Sequence, residues 1–159
     1  MSDVDLVIGA LSTLEKIKLT SEELGLISLF QSISGATAKD CIIDNKMNRV
    51  IFVVNKGEMG LAIGKKGQSI KTLENLIGKP VELVEYSDDP KEFIEKAINI
   101  KYIYDVRLTE KLDGTKIGVI VVDQRHKGAA VGREGRNVEK VRLLVKRYFQ
   151  IDRIHIVTQ

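Results

Sequence analysis

The chain has 159 residues, 43% of them apolar and 30% charged, with a formal net charge of +3 at pH 7. That length admits one medium domain or two small ones, and the apolar content is ordinary for a globular protein. A single cysteine, Cys41, excludes an internal disulfide, and His126 and His155 have no second cysteine near them, so no zinc site, metal or cofactor is expected.

The chain opens with Asp3 and Asp5, and it has neither a basic leader segment nor a long apolar run. No stretch approaches the roughly 18 apolar residues of a membrane span, and a cytoplasmic protein is the expectation. Residues 3–17 place Val7, Ala10, Leu11 and Leu14 at helical spacing and predict an amphipathic helix within residues 1–19. Thr20 with Glu23 three positions on reads as a capping box, and Leu24, Ile27 and Phe30 continue an apolar face to about Ser34, where Gly35 stops it. Strand-like runs over 38–44 and 49–55, joined by residues 45–48, predict a hairpin. A short helix over 58–63 and a second over 68–77 follow, the latter with Ile70, Leu73, Leu76 and Ile77 inward and Gly78 and Pro80 ending it. Residues 81–86 close this part as a strand.

After a linker at 87–89 the same order returns. Asp89 caps a helix over 90–99 that carries Pro90 at its first position and Glu92 at its third. Strands over 100–110 and 115–122 flank a Leu112-Asp113-Gly114 turn. A short helix over 125–131, a helix over 136–149 with Val138, Val141, Leu144 and Val145 inward, and a strand over 151–157 complete it. Residues 51–77 align without a gap on 119–145, matching Val53 with Val121, Gly60 with Gly128 and Ala62 with Ala130. One supersecondary unit is therefore used twice. The expected fold is α+β, two units over 20–86 and 90–159, each in the order α-β-β-α-α-β.

Both copies carry a four-residue loop between their short and long helices: Gly64-Lys65-Lys66-Gly67 and Gly132-Arg133-Glu134-Gly135. Two glycines let the backbone turn tightly and leave no Cβ in the way of a phosphate. The N-terminus of the following helix favours an anion, and Lys65, Lys66, Arg133 and Arg136 add charge-assisted contacts. A nucleoside triphosphate loop is excluded, because Gly60 and Gly64 have three residues between them where such a loop needs four, and Lys65 is followed by Lys66 rather than Ser or Thr. No G-x-G-x-x-G is present for a dinucleotide. Eight basic residues between Gln124 and Arg147 (Arg125, Lys127, Arg133, Arg136, Lys140, Arg142, Lys146 and Arg147) face only Glu134 and Glu139. Such a patch suits phosphates, and a solvated helix face is the alternative. With 5% aromatic residues and no tryptophan, base stacking has little to rest on.

The G-x-x-G loop between two helices, after a hairpin and in both copies, resembles the KH family of RNA-binding domains in its helix-first, type II arrangement. In that family the loop clamps about four nucleotides of backbone. The tandem, with Ala62-Ile63-Gly64-Lys65-Lys66-Gly67-Gln68-Ser69-Ile70 and Ala130-Val131-Gly132-Arg133-Glu134-Gly135-Arg136-Asn137-Val138, is similar to the archaeal NusA-related family of transcription factors. The resemblance covers the chain from Thr20 onward. It implies a non-enzymatic protein that binds single-stranded RNA and acts in transcription elongation, termination or antitermination, with RNA polymerase or the elongation complex as a further partner and no membrane. The RNA-binding residues it implies are Ile63, Gly64, Lys65, Lys66, Gly67, Gln68 and Ile70 in the first copy. In the second they are Lys127, Val131, Gly132, Arg133, Glu134, Gly135, Arg136, Val138 and Lys140. Ile63, Ile70, Val131 and Val138 would flank a groove for bases, although the same four fit ordinary core positions. Glu134 puts a carboxylate where a phosphate should come, so it either faces away or weakens the second grip, with Arg133 and Arg136 pairing it when RNA is absent. Against bacterial NusA, the chain leaves no room for a polymerase-binding domain or an OB-fold ahead of the repeat. A ribosome-associated or RNA-maturation factor would need the same clamp, and a protein-interaction scaffold is a third class.

Overall fold

The computed structural model describes residues 19–159 apart from Tyr102, so the helix expected over 3–17 lies outside the described residues. The chain divides into two compact units at the Val84–Glu85 junction.

In the first unit, helix α1 (Ser21–Ser34) begins with the expected capping box. The Thr20 hydroxyl accepts from the Glu23 N–H at 3.1 Å, and the Glu23 carboxylate accepts from the Thr20 N–H. Gly35, at φ +76°, ends the helix. Its inner face is Leu26, Ile27, Leu29, Phe30 and Ile33. Leu24, expected on that face, is 51% exposed. At 100° per residue it lies about 120° round the helix from Phe30, outside the buried arc.

Strands β1 (Ala38–Asp44) and β2 (Arg49–Val54) form the hairpin, paired antiparallel from Asp44↔Arg49 through Ile42↔Ile51. Helix α2 (Met59–Ile63), helix α3 (Gln68–Ile77) and strand β3 (Val81–Glu85) follow, and β2 is the central strand of the sheet β1-β2-β3. Phe30 stacks on Phe52 with ring centroids 4.6 Å apart, over a core that includes Val50, Val54, Ala62 and Leu73. Each such aromatic contributes roughly 1.5–3 kcal/mol over leaving it exposed. Leu76 corrects a second expectation, being 59% exposed. The arc shared by Ile70, Leu73 and Ile77 leaves Leu76 about 90° from its centre.

The second unit begins with α4 (Pro90–Ile98), where the Asp89 carboxylate accepts from the Lys91 N–H at 3.2 Å and Pro90 occupies the first turn. Ser87 folds onto this helix start, donating to Glu92 and accepting from the Asp89 N–H. Asn99 turns left-handed at φ +50°, so β4 (Ile103–Glu110) starts later than the expected residue 100. Strand β5 (Lys116–Val122), helix α5 (Lys127–Val131), helix α6 (Arg136–Phe149) and strand β6 (Arg153–Thr158) complete the unit, β6 also starting later than expected. Here β5 is central, antiparallel to β4 and parallel to β6, with Ile120↔Ile156 in register.

The repeat reaches further than the ungapped alignment. Both first strands carry a bulge, between Ala38 and Asp40 and between Ile103 and Asp105. At each bulge the aspartate accepts from the next N–H, Cys41 at 2.7 Å and Val106 at 2.9 Å. The copies also differ. Helix α6 has 14 residues against 10 in α3 and packs along α4, bringing Phe149 to 5.6 Å from Phe93. Leu144 is buried, whereas its counterpart Leu76 is exposed.

Candidate nucleic-acid interface

Each G-x-x-G segment is a single 3-10 turn wedged between a five-residue helix and a longer one. Gly64 sits at φ +78°, ψ 170° and Gly132 at φ +80°, ψ 166°, a region open essentially to glycine alone. Space imposes the same choice. A Cβ on Gly64 would lie 2.9 Å from the Ser69 nitrogen, and one on Gly132 would lie 2.7 Å from the Asn137 nitrogen. The second glycines, Gly67 at φ +72° and Gly135 at φ +76°, are left-handed with no close neighbour. Their bare backbone faces open space, as a phosphate contact requires.

Between the glycines Lys66 (φ +55°) and Glu134 (φ +59°) also take the left-handed conformation. That conformation costs a side-chain-bearing residue roughly 1–2 kcal/mol, and both loops bear it at the same place. Lys65, Lys66, Arg133 and Glu134 are exposed. Glu134 forms no ion pair with Arg133 or Arg136 among the described residues, contrary to the pairing expected of them. Neither α3 nor α6 has a side chain capping its N-terminus. The first N–H of each helix donates instead to the loop, Gln68 to the Lys65 carbonyl and Arg136 to the Arg133 carbonyl, and the positive end of the helix lies beside the loop.

Asn137 holds the second loop in place. Its side-chain amide donates to the Ile98 carbonyl at 2.7 Å and to the Ala130 carbonyl at 3.1 Å, joining α6 to the ends of α4 and α5. Ser69 occupies the matching position in the first unit, with its hydroxyl over Gly64. Neither residue was singled out from the sequence. The available signal was a small polar residue five positions after the first glycine in both copies.

The basic patch is smaller than its residue count suggests. Arg142 pairs with Glu139 at 2.9 Å, which raises its already high pKa, and Lys146 pairs with Asp152. Lys140, expected at the RNA surface, is only 7% exposed and faces inward on α6. Lys127 and Arg133 are exposed and Arg136 is half-buried, and these three have no ion pair among the described residues. The apolar residues expected to flank a groove are neither core nor free. Ile63 is 37% exposed, Ile70 packs partly against the core, and Val131 and Val138 are half-buried. Gln68 is exposed at the start of α3. Leu61, not foreseen, is 53% exposed where the second copy has Ala129. Among the described residues no helix is long and apolar enough to cross a membrane, and no group of three or more His, Cys, Asp or Glu is placed to hold a metal ion.

A strand–helix–G-x-x-G–helix–strand unit with this loop geometry defines a class. The KH domain family matches residues 26–111. Two relatives narrow it, both named "Probable transcription termination protein NusA". That of Halobacterium salinarum is 36% identical over 88% of this chain and 98% of its own length. That of Methanocaldococcus jannaschii is 32% identical over 91% of this chain and 77% of its own. The crystal structure of APE1850 superposes with a TM-score of 0.80 at 40% identity, covering 87% of this chain and 99% of that one. The chain belongs to the KH domain family and, within it, to the archaeal NusA-like proteins.

Proposed function

We propose that this chain is a non-enzymatic binder of single-stranded RNA, acting in transcription elongation and termination or antitermination through two KH domains in tandem, over 20–86 and 90–159. The observation that carries the reading is the reproduction of one strained loop in both units. Gly64 and Gly132 agree within a few degrees in φ and ψ, as do Gly67 and Gly135, and each pair opens onto an uncapped helix start. Lys66 and Glu134, exposed between those glycines, both hold the left-handed conformation, and backbone strain of this kind clusters at binding sites. The first loop grips by Lys65 and Lys66, the second by Arg133 with Lys127 and Arg136, and both lie on one RNA strand. Backbone contacts of this kind set register without reading bases.

The names of the relatives support the transcription role, and RNA polymerase or the elongation complex is the partner it calls for. Two measurements test the reading. Lys65→Asp with Lys66→Asp lowers affinity for every unstructured RNA, and capture from native extract brings down polymerase subunits. Unchanged RNA affinity refutes the loop assignment, and ribosomal particles in place of polymerase refute the transcription role.

A further inference from the structure

The second unit holds a cleft of about 300 Å³ that the loop does not use, lined by Tyr104, Asp123, Arg125 and His126. The bulge at the start of β4 creates it, since Tyr104 is the extra residue between Ile103 and Asp105 and its ring is turned out of the ladder, 56% exposed. Bulges commonly re-aim side chains next to functional sites. The other wall is the turn that leads into α5.

Asp123 organises the cleft. Its carboxylate accepts from the Tyr104 hydroxyl at 3.0 Å, from the Arg125 Nε at 3.0 Å and from the Arg125 backbone N–H at 2.8 Å. The Arg125 side chain holds the Asp123 carboxyl well below the usual carboxylate range, with the Arg125 N–H and the Tyr104 hydroxyl adding to it. Asp123 therefore stays ionised, and its charge is spent on fixing an aromatic face beside a guanidinium. Arg125 remains 83% exposed along its side chain. Lys127 adjoins the cleft as the first residue of α5, and α5 ends at Gly132. Five helical residues rise about 7–8 Å, so a strand seated on the loop reaches the cleft within a few nucleotides. The first unit has other residues at the aligned positions, Lys39 at the bulge and Asn55, Gly57 and Glu58 in place of Asp123, Arg125 and His126.

We infer that this cleft is a nucleotide-binding step on the RNA path of the second unit, with Tyr104 stacking one base and Arg125 and Lys127 holding the adjoining phosphate. An aromatic face beside a cation is the recurring platform for single strands, and it accepts any base because every base has a π-face. The inference rests on the RNA-binding reading.

The test compares Tyr104→Ala, Tyr104→Phe and the Lys65→Asp/Lys66→Asp pair in the full chain, each against an unstructured RNA of about 12 nucleotides, with thermal unfolding as the control. Tyr104→Ala is expected to weaken binding by about five-fold to a hundred-fold, as loss of one stacked base does. Tyr104→Phe is expected to restore most of it without the hydroxyl. Loss in the lysine pair with wild-type binding by Tyr104→Ala overturns the cleft and leaves the RNA reading standing. Equal loss in Tyr104→Ala and Tyr104→Phe assigns the effect to the Asp123 hydrogen bond and overturns stacking. If neither Tyr104→Ala nor the lysine pair changes binding, the cleft and the loop assignment both fail, and absence of binding by the wild-type chain refutes the RNA reading itself.

Discussion

The two glycines of each loop look alike in sequence and do different work. Gly64 lies where a side chain would strike the Ser69 backbone, in a φ/ψ region closed to other residues, whereas Gly67 needs only a left-handed turn with open space around it. Gly64→Ala is therefore expected to lower the stability of the first unit by about 1–3 kcal/mol from conformation alone, with the clash added. Gly67→Asn is expected to unfold close to wild type, because Asn tolerates the left-handed region. Thermal unfolding of the two variants ranks them. A smaller loss in Gly64→Ala than in Gly67→Asn contradicts the geometry.

At the scale of elements, the loop is only as rigid as the helices on either side of it. Asn137 ties the second loop to the end of α4 through the Ile98 carbonyl. Asn137→Ala leaves that carbonyl and that of Ala130 short of a partner, and a loss of about 1–3 kcal/mol is expected, read as an earlier melt of the second unit with weakened RNA binding. An unaltered melt removes Asn137 from the account. Order of elements, both capped helix starts and both loops were legible in the residues, because caps, glycines and strand alternation are local signals. What was not legible depends on partners distant in sequence. Leu24 and Leu76 carry the right residue type at helical spacing and still lie outside the arcs that the sheet covers. Leu144 sits at the aligned position of the second copy and is buried all the same, in a longer helix that packs along α4. Lys140 counted toward a basic face by composition, and helix rotation turns it inward. The bulges that set Tyr104 outward, and the Asp40 and Asp105 hydrogen bonds that accompany them, appear only once the strands are paired.

For the whole molecule, the proposed reading makes two unequal grips serve one strand. The first loop offers two lysines between its glycines. The second has Glu134 where the first has Lys66, and it draws instead on Arg133, Lys127, Arg136 and the Tyr104 cleft beyond the loop. Linking two modest grips on one ligand raises overall affinity beyond that of either alone. The measurement that tests this most directly is the salt dependence of binding to an unstructured RNA by wild type, Lys65→Ala/Lys66→Ala, Arg133→Ala/Arg136→Ala and the combination of all four. For single strands the slope of log affinity against log salt is about −0.7 for each phosphate neutralised. Each pair should make the slope shallower by about 1.4, and the combined variant should lose most of the salt-sensitive binding. A combined variant that melts as wild type and keeps the wild-type affinity and slope would contradict the account.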